Sequence, residues 1–156
     1  MQQTGQGTNQ PTILIVEDDH DTRRVYSLML RHSGYLVVEA ADGNEAVQRA
    51  IEDAPDLILM DMNLPLIDGW EAARRIKSDP NGNGAPLVAF SALIDSIADL
   101  RRGSALFDGF IAKPVSPSEL VRRVGAYLEL LGRTGPARRA PLKSRTGSTS
   151  PSSALA

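Results

Sequence analysis

The 156-residue chain is 42% hydrophobic and 23% charged, enough apolar material for one core and too short for two ordinary domains. It has no cysteine, which excludes disulfides, thiolate metal sites and a cysteine nucleophile, and sets the expectation of an intracellular, cytoplasmic protein. MQQTGQGTNQ at the N-terminus lacks a basic start and an apolar run, and no apolar stretch approaches the ~20 residues of a membrane span, so neither export nor membrane insertion is expected.

Residues 1–10 read as a disordered segment, and a strand is expected at 13–16, followed by the acidic run Glu17, Asp18 and Asp19. The apolar stripe Val25, Leu28, Met29 and His32, stopped by Gly34, predicts the first helix. A second strand is expected at 35–39. Asp42 with Glu45 then marks a helix start, and Ala46, Val47, Ala50 and Ile51 supply its apolar face. The third strand, 57–60, is apolar on both faces and stops at Asp61, after which Asp68 with Glu71 opens a third helix. A fourth strand at 87–90 stops at Ser91. Residues 95–103, anchored mainly by Ile97 and Leu100, predict a weakly docked helix. A fifth strand at 109–112 runs into Lys113-Pro114. Ser116-Pro117-Ser118-Glu119 is a capping box for a last helix with the stripe Leu120, Val121, Val124, Leu128 and Leu131.

From Gly132 onward the chain is rich in Gly, Pro, Ser and Thr and carries five basic residues without an acid, leaving −7 for residues 1–131. Residues 132–156 therefore read as a disordered basic tail. It is either a solvated terminus or an arm toward nucleic acid, an anionic surface or the acidic domain itself.

Five alternations of strand and helix imply an α/β fold, a doubly wound five-stranded parallel sheet with five helices. Sites in such sheets lie beyond the carboxyl ends of strands where strand order reverses, which for the order 2-1-3-4-5 is between the first and third strands. Glu17, Asp18 and Asp61 would meet there. Two like charges ~4 Å apart repel by ~4 kcal/mol at an effective dielectric near 20, so three carboxylates in one pocket call for a hard cation such as magnesium. Read alone, the acidic run also suits a solvated turn and helix start. Ser91 and Lys113 at the next two strand ends add a hydroxyl and an ammonium, completing a site for a tetrahedral anion and its metal.

VEDD, LMDMNLP, FSA and FIAKP stand in this order, thirty residues from Asp61 to Ser91 and nineteen from Ser91 to Phe110. Over residues 11–131 the chain resembles the receiver domain of two-component response regulators. The resemblance implies a flavodoxin-like, CheY-like sheet of order 2-1-3-4-5. It implies that Asp61 accepts a phosphoryl group from a histidine kinase or histidine phosphotransfer protein. Glu17, Asp18, Asp61 and the backbone carbonyl of Asn63 would hold Mg²⁺, with Mn²⁺ as a substitute. Lys113 and Ser91 would contact the phosphoryl oxygens, and Phe110 would rotate as the switch, biasing a phosphorylation-dependent protein-binding face. Asp19 falls one residue too late to be a ligand.

Such a protein is a phosphoacceptor that assists its own phosphorylation and dephosphorylation, not an enzyme in the usual sense. The expected form is a stand-alone receiver resembling chemotaxis or DivK-like regulators, with no membrane or nucleic-acid contact through the folded domain and a phosphorylation-linked dimer compatible with it. Phe110 departs from the Tyr often found in the family, and Leu106-Phe107 from its Gly-Ala. Apolar Leu93 implies slow self-dephosphorylation. The alternatives are a fragment of a larger regulator, a phosphorylation-independent binding module, and a phosphohydrolase of the haloacid dehalogenase class. Asn63 opposes the last, because that class typically places an acidic Asp there.

Overall fold

The computed structural model describes residues 10–82, 84–92 and 106–133. The predicted helix at 95–103, Leu93, and the terminal segments apart from Gln10, Gly132 and Arg133 lie outside these residues. Five parallel strands, β1 (Thr12–Val16), β2 (Leu36–Ala40), β3 (Leu57–Asp61), β4 (Leu87–Ser91) and β5 (Gly109–Ala112), form one sheet in the order β2-β1-β3-β4-β5. Four helices are described: α1 (His20–His32), α2 (Gly43–Asp53), α3 (Gly69–Ser78) and α4 (Pro117–Leu130). No helix among the described residues is long and apolar enough to cross a membrane.

The central strands are apolar on both faces because both faces are covered. Ile13, Ile15, Leu57, Leu59, Val88 and Phe90 pack with Tyr26 and Leu30 of α1 and Leu120, Val124 and Leu128 of α4. The alternate positions Leu14, Val16, Ile58, Met60, Leu87 and Ala89 pack with the alanines and Ile76 of α2 and α3. Each fully buried Leu or Ile contributes roughly 1.5–3 kcal/mol relative to exposure. The strand ends are thus carried by a sheet that is buried on both faces.

Asp42, Asp68 and Ser116 each cap a helix, accepting a hydrogen bond from the backbone N–H of Glu45, Glu71 or Glu119 at 2.8, 2.9 and 3.2 Å. The return half of the expected capping box at Ser116 is not made among these contacts. Glu119 instead pairs with Arg122, one turn further along.

The expected face of α1 is wrong. Val25 and Leu28 are half exposed and His32 is exposed, whereas Tyr26, Ser27 and Leu30 are buried. The buried face carries polar groups with partners elsewhere in the fold. Ser27 Oγ donates to Glu39 at 2.9 Å, the Tyr26 hydroxyl donates to the Val115 carbonyl at 3.0 Å, and Arg23 donates to the Glu17 carbonyl at 2.8 Å. Satisfied polar atoms allow this face to be buried in place of the more apolar one.

Candidate functional site

The strand ends carry the site. The β1 ladder runs one residue past Val16, with Glu17 N–H donating to the Ala40 carbonyl at 3.1 Å. Lys113 N–H extends β5 in the same way onto the Ser91 carbonyl at 2.9 Å. Asp61 and Ser91 are themselves the last residues of β3 and β4, one position further into the sheet than the apolar runs suggest. Glu17, Asp61 and Ser91 are 3%, 6% and 2% exposed, so two carboxylates and a hydroxyl are buried at one rim.

Oxygen atoms from Glu17, Asp18 and Asp61 all lie within 4.8 Å of one another. Lys113 Nζ donates to Glu17 Oε2 at 2.5 Å and to Asp61 Oδ2 at 3.4 Å. The second Asp61 oxygen accepts from the Asn63 N–H at 3.0 Å, which ties the loop after β3 to the carboxylate. Burial raises the pKa of Glu17, assisted by the charge of Asp61 and opposed by the Lys113 hydrogen bond. Burial works to lower the pKa of Lys113, but the hydrogen bond to Glu17 and the charges of Asp61 and Glu17 outweigh it and hold it above its ordinary value.

Three carboxylates facing one ammonium leave an excess of two negative charges when all are ionised. The donors are all oxygen, and one of the three, Asp18, is exposed at the mouth. This set fits a hard divalent cation that keeps some of its waters, which is the preference of magnesium. Asp19 does not join the cluster; it caps α1, its side chain accepting from Thr22 N–H at 3.0 Å.

The other expected residues sit on adjacent strands. Asp61 lies opposite Phe90 in the β3–β4 register, and Ser91 opposite Ala112 and Phe110 opposite Ala89 in the β4–β5 register. Phe110 is half-buried and packs on the α2–α3 side of the sheet, together with Leu106 and Phe107. Phe107 and Trp70 pack edge-to-face with ring centroids 5.5 Å apart, so Leu106-Phe107, where the resembled receivers often have Gly-Ala, extends the core toward α3.

Sequence reasoning missed three groups around the site. Arg23, largely buried, donates to the Glu17 carbonyl and lies 3.7 Å from Glu39, tying the acidic loop to α1 and β2. Phe90 lies under Lys113, whose Nζ is 4.5 Å from the ring centroid. Tyr26 and Phe90 pack edge-to-face with ring centroids 5.3 Å apart. The signal that could have found Arg23 and Tyr26 was the second stripe at helical spacing, Arg23, Tyr26, Ser27 and Leu30.

Sheet order, crevice and donor set together define a doubly wound α/β domain with an acidic, lysine-bearing pocket at its switch point. The family model described as response regulator receiver domain matches residues 13–125, and the chain belongs to this family. The transcriptional regulatory protein PrrA of Mycobacterium tuberculosis is 36% identical over 129 residues, 82% of this chain and 54% of PrrA. The chain thus spans about half the length of that curated relative. The receiver domain of the sensor histidine kinase PA1611 from Pseudomonas aeruginosa, whose structure has a magnesium ion coordinated in its active site cleft, is 36% identical. That match covers 79% of this chain and 98% of the other, with a TM-score of 0.67. The chemotaxis response regulator CheY4 of Vibrio cholerae is 27% identical over 75% of this chain and 98% of its own, with a TM-score of 0.68.

Proposed function

We propose that this receiver takes a phosphoryl group onto Asp61 from a phosphohistidine on a histidine kinase or histidine phosphotransfer protein, acting in the cytoplasm. The observation that carries the reading is the bridge from Lys113 to both Glu17 and Asp61 inside the carboxylate cluster. An oxygen of Asp61 forms the new P–O bond while the P–N bond to the donor imidazole breaks. The bonding pair stays on the imidazole nitrogen, which takes up a proton. Positioning and charge neutralisation supply most of the catalysis in such transfers.

Glu17, Asp18, Asp61 and the backbone carbonyl of Asn63 would hold Mg²⁺ or Mn²⁺. When bound, the cation supplies charge neutralisation for the carboxylates and the incoming phosphoryl oxygens. Asn63 N–H holds one Asp61 oxygen in place, and Lys113 offers its ammonium to the phosphoryl group. Ser91, adjacent in the sheet, hydrogen-bonds a phosphoryl oxygen after transfer. Movement of Ser91 and Phe110 then biases the face formed by β5 and α4 toward a partner protein or a second copy. The chain accepts and releases one phosphoryl group and is not an enzyme acting on a separate substrate.

A stand-alone regulator is supported by the likeness to CheY4 over 98% of that chain. A receiver within a larger regulator is the second reading, favoured by the coverage of only 54% of PrrA. Intact-mass measurement after incubation with acetyl phosphate and Mg²⁺ tests the common core of both. The native chain gains a phosphoryl adduct and Asp61→Asn does not; absence of the adduct, or an equal adduct on both, contradicts the proposal.

A further inference from the structure

Lysine is a poor fixed charge. Four rotatable bonds separate its ammonium from the backbone, and holding it in one place costs rotamer entropy. In this chain the Lys113 ammonium has a platform as well as its two carboxylates, the Phe90 ring 4.5 Å from Nζ. Phe90 is fully buried and packs edge-to-face with Tyr26 at an interplanar angle of 75°. The same Tyr26 donates its hydroxyl to the carbonyl of Val115, two residues beyond Lys113 on the segment joining β5 to α4. One side chain of α1 therefore grips both the surface under the ammonium and the backbone just past its Cα.

We propose that Tyr26 is a positioning residue for Lys113. It acts through Phe90 and the Val115 carbonyl, holding the ammonium where the phosphoryl oxygens arrive. The inference rests on the phosphoacceptor reading above and deepens it. It also assigns a purpose to burying Tyr26 and Arg23 in place of Val25 and Leu28: the chosen face of α1 carries the groups that brace the site, Arg23 at Glu17 and Tyr26 at Lys113. A ring face attracts a cation held above it, an attraction that matters for a side chain with this much freedom.

The test uses Tyr26→Phe, which removes only the hydroxyl, and Tyr26→Leu and Phe90→Leu, which remove a ring. The first readout needs no phosphorylation. In proton NMR of the full chain, the Lys113 Hε protons of the native protein are shifted upfield by the Phe90 ring. Tyr26→Leu and Phe90→Leu move them toward the values of an unshielded lysine. The second readout is the rate of phosphoryl uptake from acetyl phosphate at saturating Mg²⁺, with thermal unfolding confirming that each variant is folded.

Tyr26→Phe slows uptake about two- to fivefold and the Leu variants about tenfold, the range of one lost hydrogen bond or ring contact. The Mg²⁺ concentration for half-maximal rate stays within about twofold, because the carboxylates are untouched. In a Lys113→Ala background the same substitutions have no further effect. Equal losses with and without Lys113, or Lys113 protons that are unshifted in the native chain or unmoved in Tyr26→Leu, overturn the inference. If the native chain is phosphorylated and Tyr26→Phe and Tyr26→Leu match it, the inference alone fails. A native chain that takes up no phosphoryl overturns the phosphoacceptor reading and this inference with it. Tyr26→Phe keeps the ring and the fold, so the hydroxyl contribution remains measurable even if a Leu variant does not fold.

Discussion

Lys113 lies closer to Glu17 than to Asp61, its Nζ 2.5 Å from one carboxylate and 3.4 Å from the other. A single ammonium therefore serves as counter-ion to two buried acids, and Glu17 holds it more tightly than the residue proposed to accept the phosphoryl group. Lys113→Ala leaves both carboxylates facing one another without it. The variant loses about 1–3 kcal/mol at neutral pH, less than a fully buried pair would lose because Lys113 keeps some exposure. Urea unfolding of the native and variant chains measures this, and an unchanged midpoint would show that the bridge contributes nothing.

The excess of negative charge in the pocket predicts that Mg²⁺ stabilises the fold. Any ligand that binds only the folded state adds about 2.7 kcal/mol at one hundred times its dissociation constant. The thermal midpoint of the native chain rises with Mg²⁺ over the millimolar range, and Asp18→Ala blunts the rise. Asp18 is the informative position because it is exposed and its loss disturbs no core contact. A midpoint indifferent to Mg²⁺ counts against the cation site.

Gly69 opens α3 against the end of β3. A Cβ there would lie 2.7 Å from the Asp61 carbonyl oxygen and 2.8 Å from the Met62 Cα, both backbone atoms with no room to move aside. Gly69→Ala therefore costs about 1–3 kcal/mol, the usual range for overpacking, and slows phosphoryl uptake by pushing the Asp61–Asn63 segment out of register. Chemical denaturation and the uptake assay read the two effects, and a variant as stable and as fast as the native chain contradicts the account of this contact.

Leu66, in the loop after β3, has φ of +70° and is 79% exposed, so it bears left-handed strain with little packing in return. Relief of that strain is worth about 1–2 kcal/mol, and the greater freedom of glycine in the unfolded chain returns about 0.5–1 of it. Leu66→Gly is accordingly expected to be more stable than the native chain by up to about 1 kcal/mol. A thermal midpoint lowered by this change would mean that the Leu66 side chain makes a contact that outweighs its strain.

The sheet was legible because its strands are unbroken apolar runs between turn residues, and the helix starts at Asp42, Asp68 and Ser116 because a cap and its partner lie three residues apart. Two things resisted. Asp61 and Ser91 end their strands instead of following them, since the parallel ladder continues one residue past the last apolar side chain. The buried face of α1 was misread because Val25 and Leu28 make the more apolar stripe. Tyr26 is buried through a hydroxyl partner 89 residues away, a contact that no local pattern encodes. Phe90 and Lys113 stand 23 residues apart on neighbouring strands: Lys113 could be picked out as the ammonium of the site, but the ring beneath it is defined only when β4 and β5 are paired.

The central claim concerns one atom pair, the new bond between an Asp61 oxygen and phosphorus. An acyl phosphate is reduced by borohydride where a free carboxylate is not, so the measurement is reductive trapping after incubation with acetyl phosphate and Mg²⁺, followed by peptide mapping. The account predicts the label at Asp61 alone. Label at Asp18 or elsewhere in the chain, or none on a natively folded protein, would contradict it.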